Sequence, residues 1–255
     1  MDSENKYGMK AMHTALLTML EEFDAICVNN NITYSLAFGS MLGAVREHGI
    51  IPWDDDVDII IDRNNYHRLG AILESSSDKF EIEKNNNNSL WLPRLRYKDK
   101  EKSDFFDYEL TIDLFLIDNV PDSHILAKIK LLMIHTLQGM CKKSMNLKKG
   151  NILQKIATFV TYLMGKLFPS SFKYRMYNKV SAMSNSKSTK CCACYNAEYL
   201  YCGKQYDKQL LEKVSRVKFD NIAAPISSSY DHYLKILYGD YMTPPNEKDR
   251  VPKHS

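Results

Sequence analysis

Long uncharged apolar runs are missing from the 255 residues of this chain, and so is a secretory signal. No stretch of about 18 or more apolar residues free of charge occurs, so the sequence predicts no transmembrane helix. The amino terminus, MDSENKYGMK, lacks the basic and then apolar layout of a secretory signal. We therefore expect a protein that is made and kept in the cytoplasm.

Acidic residues are absent between Ser123 and Lys190, although this region contains thirteen lysines and arginines. The remainder of the chain has 21 basic and 31 acidic residues, so its net charge is −10. We interpret residues 123–190 as a basic helical insert within a single domain that spans residues 1–255. Such an insert needs an anionic partner or surface. Two alternatives are open: peripheral contact with anionic membrane lipids, and a helical cap with a solvated basic face.

Six cysteines are present, and the lack of a secretory signal favours reduced thiols over a disulfide framework. Four of them fall between Cys191 and Cys202, where the spacing differs from the paired C-x2-C layout of zinc sites. We therefore favour buried structural thiols for this cluster, with a zinc site as the alternative.

The periodicity of the apolar residues predicts helices and strands along the whole chain. Helices are predicted over residues 8–30, 41–47, 66–73, 124–183 with breaks near 150 and 169, and 230–238. Strands are predicted over residues 33–38, 53–62, near 81, 90–97, 110–118 and 191–202. Residues 219–225 are predicted to form an irregular connection, and the proline-containing tail is predicted to be extended.

An acidic segment, Trp53–Asp62, runs directly into three β-branched apolar residues. That composition belongs to a buried strand rather than to a solvated tail. Strand alternation would put Asp54, Asp56 and Asp58 on one face and Asp55 on the other. Because carboxylates at close range repel each other, this arrangement persists most easily around a divalent cation. The segment therefore predicts a metal site, with Mg²⁺ or Mn²⁺ as the ion.

Three further features indicate a phosphate-containing substrate. Gly39 and Ser40 lie between a predicted strand and a predicted helix, where backbone N–H groups form an anion site. Asp113 is a single acid in an otherwise apolar strand, so we place it beside the acidic segment, where it is not buried alone. Arg94 and Arg96 share one face of a predicted strand and could clamp a diphosphate, unless that face is a solvated edge.

The Gly-Ser turn, the pair Asp56 and Asp58, and the third acid Asp113 together resemble the layout of nucleotidyltransferase-fold proteins. This resemblance implies an α+β fold in which helices flank a mixed β-sheet core that carries the basic helical insert. In such a site Asp56 and Asp58 supply hard oxygen ligands to Mg²⁺, and the third acid completes the site or takes a proton.

Three longer runs are more specific, namely FGSMLGAVREHGIIPWDDDVDIIIDR, TIDLFLID and LYGDYMTPPNEKDRVPKH. They resemble the LicD family of phosphotransferases, which also includes the fukutin-type enzymes. The resemblance implies transfer of a phospho-alcohol, such as phosphocholine or phosphoribitol, from its CDP conjugate to a sugar hydroxyl, with release of CMP. The products of such enzymes are cell-surface glycans such as lipopolysaccharide and teichoic acid, and their glycan acceptors are typically lipid-linked.

The resemblance also implies roles for particular residues. Catalytic roles fall to Asp56, Asp58 and Asp113, and the expected metal ligands are the same three together with Asp54, or Asp55 in its place. Substrate binding is predicted, from the resemblance or the local pattern, for Gly39, Ser40, Arg46, Arg94, Arg96, Asp240, Arg250 and His254. Asp249 departs from the family by interrupting its Lys-Arg pair, and Asp240 has a second interpretation as part of a helix-ending turn.

A competing function is an NTP-using nucleotidyltransferase, or a nucleic-acid-binding protein, that acts on RNA. Scattered lysines without interleaved arginines and stacking aromatic residues argue against it, so no nucleic-acid partner is expected. The expected partners are instead a CDP-activated alcohol and a glycan. A lipid-linked glycan would bring the protein to the inner face of the membrane, where the basic insert 123–190 could contact anionic lipid.

Overall fold

The chain divides into two compact units. The computed structural model describes residues 7–76, 79–83, 91–99, 104–105, 108–144 and 151–251. The first unit comprises Met1–Glu83, Pro93–Leu116 and Gln209–Ser255, and the second comprises Lys84–Leu92 and Ile117–Lys208. The predicted basic insert, residues 123–190, falls within the second unit, and the assignment of one domain to residues 1–255 stays a prediction.

Helices and strands are mixed along the chain, which confirms the predicted α+β class. The helices are α1 (Lys10–Asn29), α2 (Phe38–Arg46), α3 (Arg63–Ser76), α4 (His124–Met140), α5 (Ile152–Leu167), α6 (Ser170–Ser181) and α7 (Tyr230–Tyr238). The strands are β1 (Tyr34–Leu36), β2 (Val57–Asp62), β3 (Phe80–Glu83), β4 (Arg94–Tyr97), β5 (Asp104–Phe105), β6 (Tyr108–Glu109), β7 (Thr111–Asn119), β8 (Cys191–Cys194), β9 (Gln205–Asp207), β10 (Val214–Phe219) and β11 (Ile222–Ser227).

The main sheet of the first unit has the strand order β1-β2-β7-β4-β3. Strand β2 is a core strand because Ile59, Ile60 and Ile61 are all fully buried, as β-branched residues in a central strand often are. Strand β4 pairs antiparallel with β7, and Arg94 lies opposite Asp113 in that register. The two strands that carry the predicted acids, β2 and β7, are therefore neighbours in the sheet.

Four segments differ from the sequence-based prediction. Of residues 191–202, predicted to be a strand, only Cys191–Cys194 form one, and bends and turns follow it. The acidic segment is a strand only from Val57 onward, and residues 54–56 form a loop before it. Residues 214–227, predicted in part to be irregular, form the antiparallel hairpin β10–β11. Its turn holds Asp220 at a φ of 53°, a left-handed conformation that Asp tolerates better than most residues. The tail, predicted to be extended, contains a 3-10 turn at Glu247–Asp249.

The second unit combines the helices α4, α5 and α6 with a small sheet. The last three residues of β7 pair with β8, and β8 pairs with β9. Its core cluster includes Trp91 and Tyr177, whose ring centroids lie 4.5 Å apart. The three helices confirm the predicted helical region. No helix in the described part of the chain is long and apolar enough to cross a membrane.

Candidate metal and phosphate site

Three consecutive carboxylates, Asp54, Asp55 and Asp56, converge in the loop that precedes β2. One ligand oxygen from each lies within 4.8 Å of the other two, and all three residues are half-buried. Within the described ranges, no other three His, Cys, Asp or Glu side chains come this close together. Because the three residues precede the strand, strand alternation does not apply to them. The expectation that Asp55 points away is therefore wrong.

The first turn of α2 lies directly against Asp54. A Cβ atom added at Gly39 would lie 2.5 Å from Oδ2 of Asp54, so a larger residue would push that carboxylate aside. Because α2 begins at Phe38, Gly39 and Ser40 belong to the first turn of the helix rather than to a turn before it. The N–H groups of a first helical turn have no partner within the helix, which makes this position suitable for phosphate oxygens.

Two hydrogen bonds fix the start of α2 to the start of β2. The backbone N–H of Asp58 donates to Oγ of Ser40 at 2.9 Å, and the backbone N–H of Ala37 donates to the carbonyl oxygen of Asp58 at 2.9 Å. Asp58 is itself almost fully buried. The hydroxyl of Ser40 thus positions the acidic segment, in addition to its predicted place beside the phosphate.

Asp113 lies on β7, and Oδ1 of its carboxylate is 2.9 Å from Nε of Arg94 on the paired strand. The N–H is poorly aligned with that oxygen, so the contact is an ion pair rather than a directed hydrogen bond. Asp113 shares its strand face with Phe115, whose ring centroid is 4.4 Å from that of Phe38 at the start of α2. Asp113 therefore faces the side of the sheet that α2 covers.

Two of the predicted substrate-binding arginines have carboxylate partners of their own. Arg96 lies 2.7 Å from Glu81 on the neighbouring strand. Arg46 lies 2.7 Å from Glu47 and also donates to the carbonyl oxygen of Tyr241 at 3.2 Å. With Arg94 paired to its own acid, all three guanidinium groups would have to exchange or share partners to bind phosphate.

The predicted residues near the carboxyl terminus are distributed more widely. The guanidinium carbon of Arg250 lies 5.2 Å from the ring centroid of Trp53, the residue that precedes the three carboxylates. Asp240 is exposed, and one of its oxygens accepts a hydrogen bond from Oγ1 of Thr243 at 2.8 Å. His254 lies outside the described residues. Arg250 is thus the C-terminal residue of the set that the structure brings to the acidic loop.

Two residues without a predicted role hold the acidic loop in place. Nε2 of His13, on α1, lies 2.8 Å from the carbonyl oxygen of Asp54. Because a carbonyl oxygen only accepts, Nε2 must carry the proton. The carboxylate of Asp220 accepts a hydrogen bond from the backbone N–H of Ile50 at 2.8 Å. The backbone N–H of Asp220 donates to the carbonyl oxygen of His48 at 2.7 Å.

An Asp-Asn pair between two apolar segments was the one sequence signal for the hairpin turn that carries Asp220.

The donor set fits a hard divalent cation. Carboxylate oxygens are the ligands that Mg²⁺ and Mn²⁺ prefer, and the loop brings three of them within reach of one ion. The predicted ligand set of Asp54, Asp56, Asp58 and Asp113 shares its first two members with this group. The other two lie on β2 and β7.

The cysteines of the second unit form no comparable group within the described residues. Cys192, Cys194 and Cys202 are buried, and the thiol of Cys202 donates to the carbonyl oxygen of Tyr195 at 3.5 Å. Burial raises the pKa of Cys192 and of Cys202 to about 12, so both are protonated thiols at neutral pH. The burial of the three thiols and the hydrogen bond of Cys202 support the interpretation as buried structural thiols.

A family profile matches part of the amino-terminal half of this chain, and a known protein matches it along nearly its whole length. The family profile described as LicD/FKTN/FKRP, nucleotidyltransferase domain, matches residues 31–130, which include α2, the three carboxylates and β7. The lipopolysaccharide cholinephosphotransferase LicD of Haemophilus influenzae is 27% identical, and the alignment covers 98% of this chain and 97% of the relative. An uncharacterised protein of Rickettsia prowazekii is 41% identical over 66 residues, 26% of this chain and 24% of the relative.

Proposed function

The chain belongs to the LicD family, and from this premise we propose that it is a transferase of phosphocholine from CDP-choline to a sugar hydroxyl of lipopolysaccharide or its precursor. The observation that carries the proposal is the similarity, over nearly the full length of both chains, to a lipopolysaccharide cholinephosphotransferase. A match confined to the acidic segment would support the fold but would say little about the acceptor.

The arrangement of the acidic loop supports this chemistry. A bound Mg²⁺ or Mn²⁺ would neutralise the negative charge of the donor diphosphate and of the departing CMP. The three loop carboxylates Asp54, Asp55 and Asp56 would hold the ion, with Asp58 as a further candidate ligand. The first turn of α2, at Gly39, would direct backbone N–H groups at the phosphate oxygens.

The proposed reaction is an in-line displacement at phosphorus. The acceptor hydroxyl oxygen forms a new bond to the phosphorus that carries choline, and the bond from that phosphorus to the bridging oxygen of the diphosphate breaks. CMP leaves with the electron pair of the broken bond, and the hydroxyl proton passes to a carboxylate. Asp113 is the candidate proton acceptor because it lies on the strand next to β2, on the face that α2 covers.

The proposal extends to the partners of the reaction. We propose a lipid-linked glycan as the acceptor and a cytoplasmic location, at the inner face of the membrane. Within the same chemistry, a teichoic acid precursor is the alternative acceptor, and CDP-ribitol, CDP-glycerol and CDP-ethanolamine are the alternative donors. Each alternative keeps the same metal and phosphate site.

A screen of these four CDP conjugates tests the proposal. Each is incubated with the protein and lipopolysaccharide, with and without Mg²⁺, and CMP release is measured. We expect metal-dependent release from CDP-choline. We also expect a thermal stabilisation of about 2.7 kcal/mol when that ligand is at about 100-fold its Kd. Release from another conjugate alone would change the donor, whereas no release and no stabilisation with any of the four would overturn the proposal.

A further inference from the structure

Helix α5 packs its polar side against the second unit and leaves its apolar side exposed. The residues that are at least partly buried recur every three or four positions and are polar or small: Lys155, Thr158, Thr161, Tyr162 and Gly165. The large apolar residues of α5 and the residue after it lie on the opposite side and are exposed: Ile152, Leu153, Ile156, Phe159, Val160, Leu163, Met164, Leu167 and Phe168. Surface helices of globular proteins normally show the reverse orientation.

This orientation is fixed by specific contacts of α5. A Cβ atom at Gly165 would collide with the main chain of Met140 at the end of α4, so the two helices approach closely at that point. A capping box sets the start of α5, because Oδ1 of Asn151 accepts the N–H of Gln154 at 2.9 Å and the side chain of Gln154 accepts in return at 3.0 Å. These contacts therefore determine which side of α5 is exposed.

Helix α4 exposes a second set of large apolar residues. They are Ile125, Leu126, Ile129, Leu132 and Met133, and their spacing puts them on one side of the helix. The opposite side of α4 is buried and includes Ala127, Ile134 and Leu137. We refer to the exposed apolar residues of α4 and α5 together as the apolar face. Monomeric proteins seldom leave so many large apolar side chains in water, so the apolar face requires an occupant.

Lys166 lies one turn after the exposed Leu163 on α5 and so borders the apolar face, and three further lysines lie near it at the junction of the helices, which indicates the charge of the occupant. Lys142, Lys143, Lys166 and Lys173 line a cleft of about 370 Å³ where α4, α5 and α6 meet. Nζ of Lys173 donates to the carbonyl oxygens of Met140 and Gly165, at 3.2 and 3.1 Å, and thereby joins the helices. The other three lysines are exposed, and no acidic residue occurs between positions 123 and 190 of the sequence.

We propose that the apolar face of α4 and α5 binds the surface of a bilayer that contains anionic phospholipids, with Lys142, Lys143 and Lys166 on the headgroup phosphates. An apolar side bordered by lysines is the pattern of helices that lie in the membrane interface. With 16 residues, α5 is about 24 Å long at about 1.5 Å per residue, shorter than the hydrocarbon core of about 30 Å. A second copy of this chain would bring an equal positive charge to the same place, which disfavours self-association.

Vesicle flotation tests this proposal with the purified full-length protein. One set of vesicles contains phosphatidylcholine only, and the other contains about 30% phosphatidylglycerol in addition. The variant Leu153→Glu/Leu167→Glu changes two of the most exposed residues of α5, at 77% and 78%, so folding should be unaffected. The matched control Val28→Glu/Val214→Glu makes the same charge change at exposed apolar residues of the first unit. The variant Lys142→Glu/Lys143→Glu tests the lysines.

We expect the wild-type protein to float with anionic vesicles at least about tenfold more efficiently than with neutral ones. The variants Leu153→Glu/Leu167→Glu and Lys142→Glu/Lys143→Glu should both lose most of this binding, and the control Val28→Glu/Val214→Glu should keep it. Equal binding to both kinds of vesicle, no binding to either, or an unaffected Leu153→Glu/Leu167→Glu variant would overturn the proposal. A lipid-free dimer in sedimentation analysis that this variant dissociates would overturn it too, because the apolar face would then join two copies. CMP release from soluble substrates is measured separately and does not bear on this outcome.

Discussion

Helix α2 buries its apolar residues, whereas helix α5 exposes them to solvent. Six of the nine residues of α2 are buried, and the hydrogen bond from the backbone N–H of Asp58 to Oγ of Ser40 ties the helix to β2. In α5, all of which the structure describes, Gly165 is the one buried residue of sixteen. The first helix positions chemical groups within a packed core, whereas the second presents a surface. This difference agrees with the two proposals, which place the chemistry in the first unit and a binding surface in the second.

The largest expected effect concerns the acidic loop of the first unit, where we propose that the chemistry takes place. Asp56→Ala removes one of the three clustered carboxylates, so CMP release should fall by at least about a thousandfold while the thermal unfolding curve keeps its shape. Vesicle flotation should not change. Asp207→Ala, at an exposed acid of β9, is the control that should keep full activity. Wild-type CMP release by Asp56→Ala would show that the acidic loop is not the metal site.

A smaller effect is expected from Gly39→Ala, and it separates activity from stability. The new methyl group would displace the carboxylate of Asp54, which we expect to lower CMP release by about 10- to 100-fold. Stability should not fall, because Ala is more favourable than Gly in a helix by up to about 1 kcal/mol. Gly70→Ala, on α3 with no atom within 4 Å of the new Cβ, is the matched control and should raise the melting temperature without changing activity. Equal activity of the two variants would contradict the assigned role of Gly39.

A substitution of Asp220 tests whether its hydrogen bond with Ile50 stabilises the loop that precedes the three carboxylates. Asp220→Ala leaves the N–H of Ile50 without its acceptor, so urea unfolding should show a loss of about 1–3 kcal/mol. Activity should fall less than in Gly39→Ala, because the displaced atoms are further along the chain from the carboxylates. Asp220→Asn keeps an acceptor oxygen and should lose less stability. Unchanged unfolding of Asp220→Ala would show that the turn contributes nothing to the loop.

The smallest effect concerns the thiols of the second unit. With pKa values raised to about 12 by burial, Cys192 and Cys202 are thiolates in only about 1 molecule in 10⁴ at pH 8. Iodoacetamide should therefore alkylate them very slowly in the folded protein, and faster as the pH rises. Mass spectrometry of the labelled peptides measures this, with urea-unfolded protein as the control. Rapid labelling of both residues in folded protein at pH 8 would contradict their burial.

The sequence predicted the parts of the fold in which local pattern and tertiary packing agree. Helix α1, strand β7 and helix α7 lie close to their predicted positions because apolar spacing and Gly239 define them locally. The alternation applied to Asp55 failed because three consecutive carboxylates avoid the strand and form a loop, where no fixed period holds. His13 was missed because its hydrogen bond reaches the carbonyl of Asp54, 41 residues away in the chain.

The orientation of α5 could not be predicted from the sequence either. Its periodicity indicates an amphipathic helix, and the sequence left two alternatives for the insert that contains it: contact with anionic lipid, or a helical cap with a solvated basic face. The contact of Gly165 with the main chain of Met140 decides which side faces the protein, and such a contact depends on tertiary structure. Periodicity therefore predicted the helix, and only the packing revealed that its apolar side is exposed.

One measurement tests the central claim directly. CDP-choline labelled in the choline group is incubated with the protein, Mg²⁺ and lipopolysaccharide that lacks choline, and both the glycan-bound label and the CMP are quantified. The proposed function predicts that label enters the lipopolysaccharide in an amount equal to the CMP released, and that Asp56→Ala abolishes both. No transfer from CDP-choline, together with Mg²⁺-dependent incorporation of nucleotide from an NTP into RNA, would contradict it.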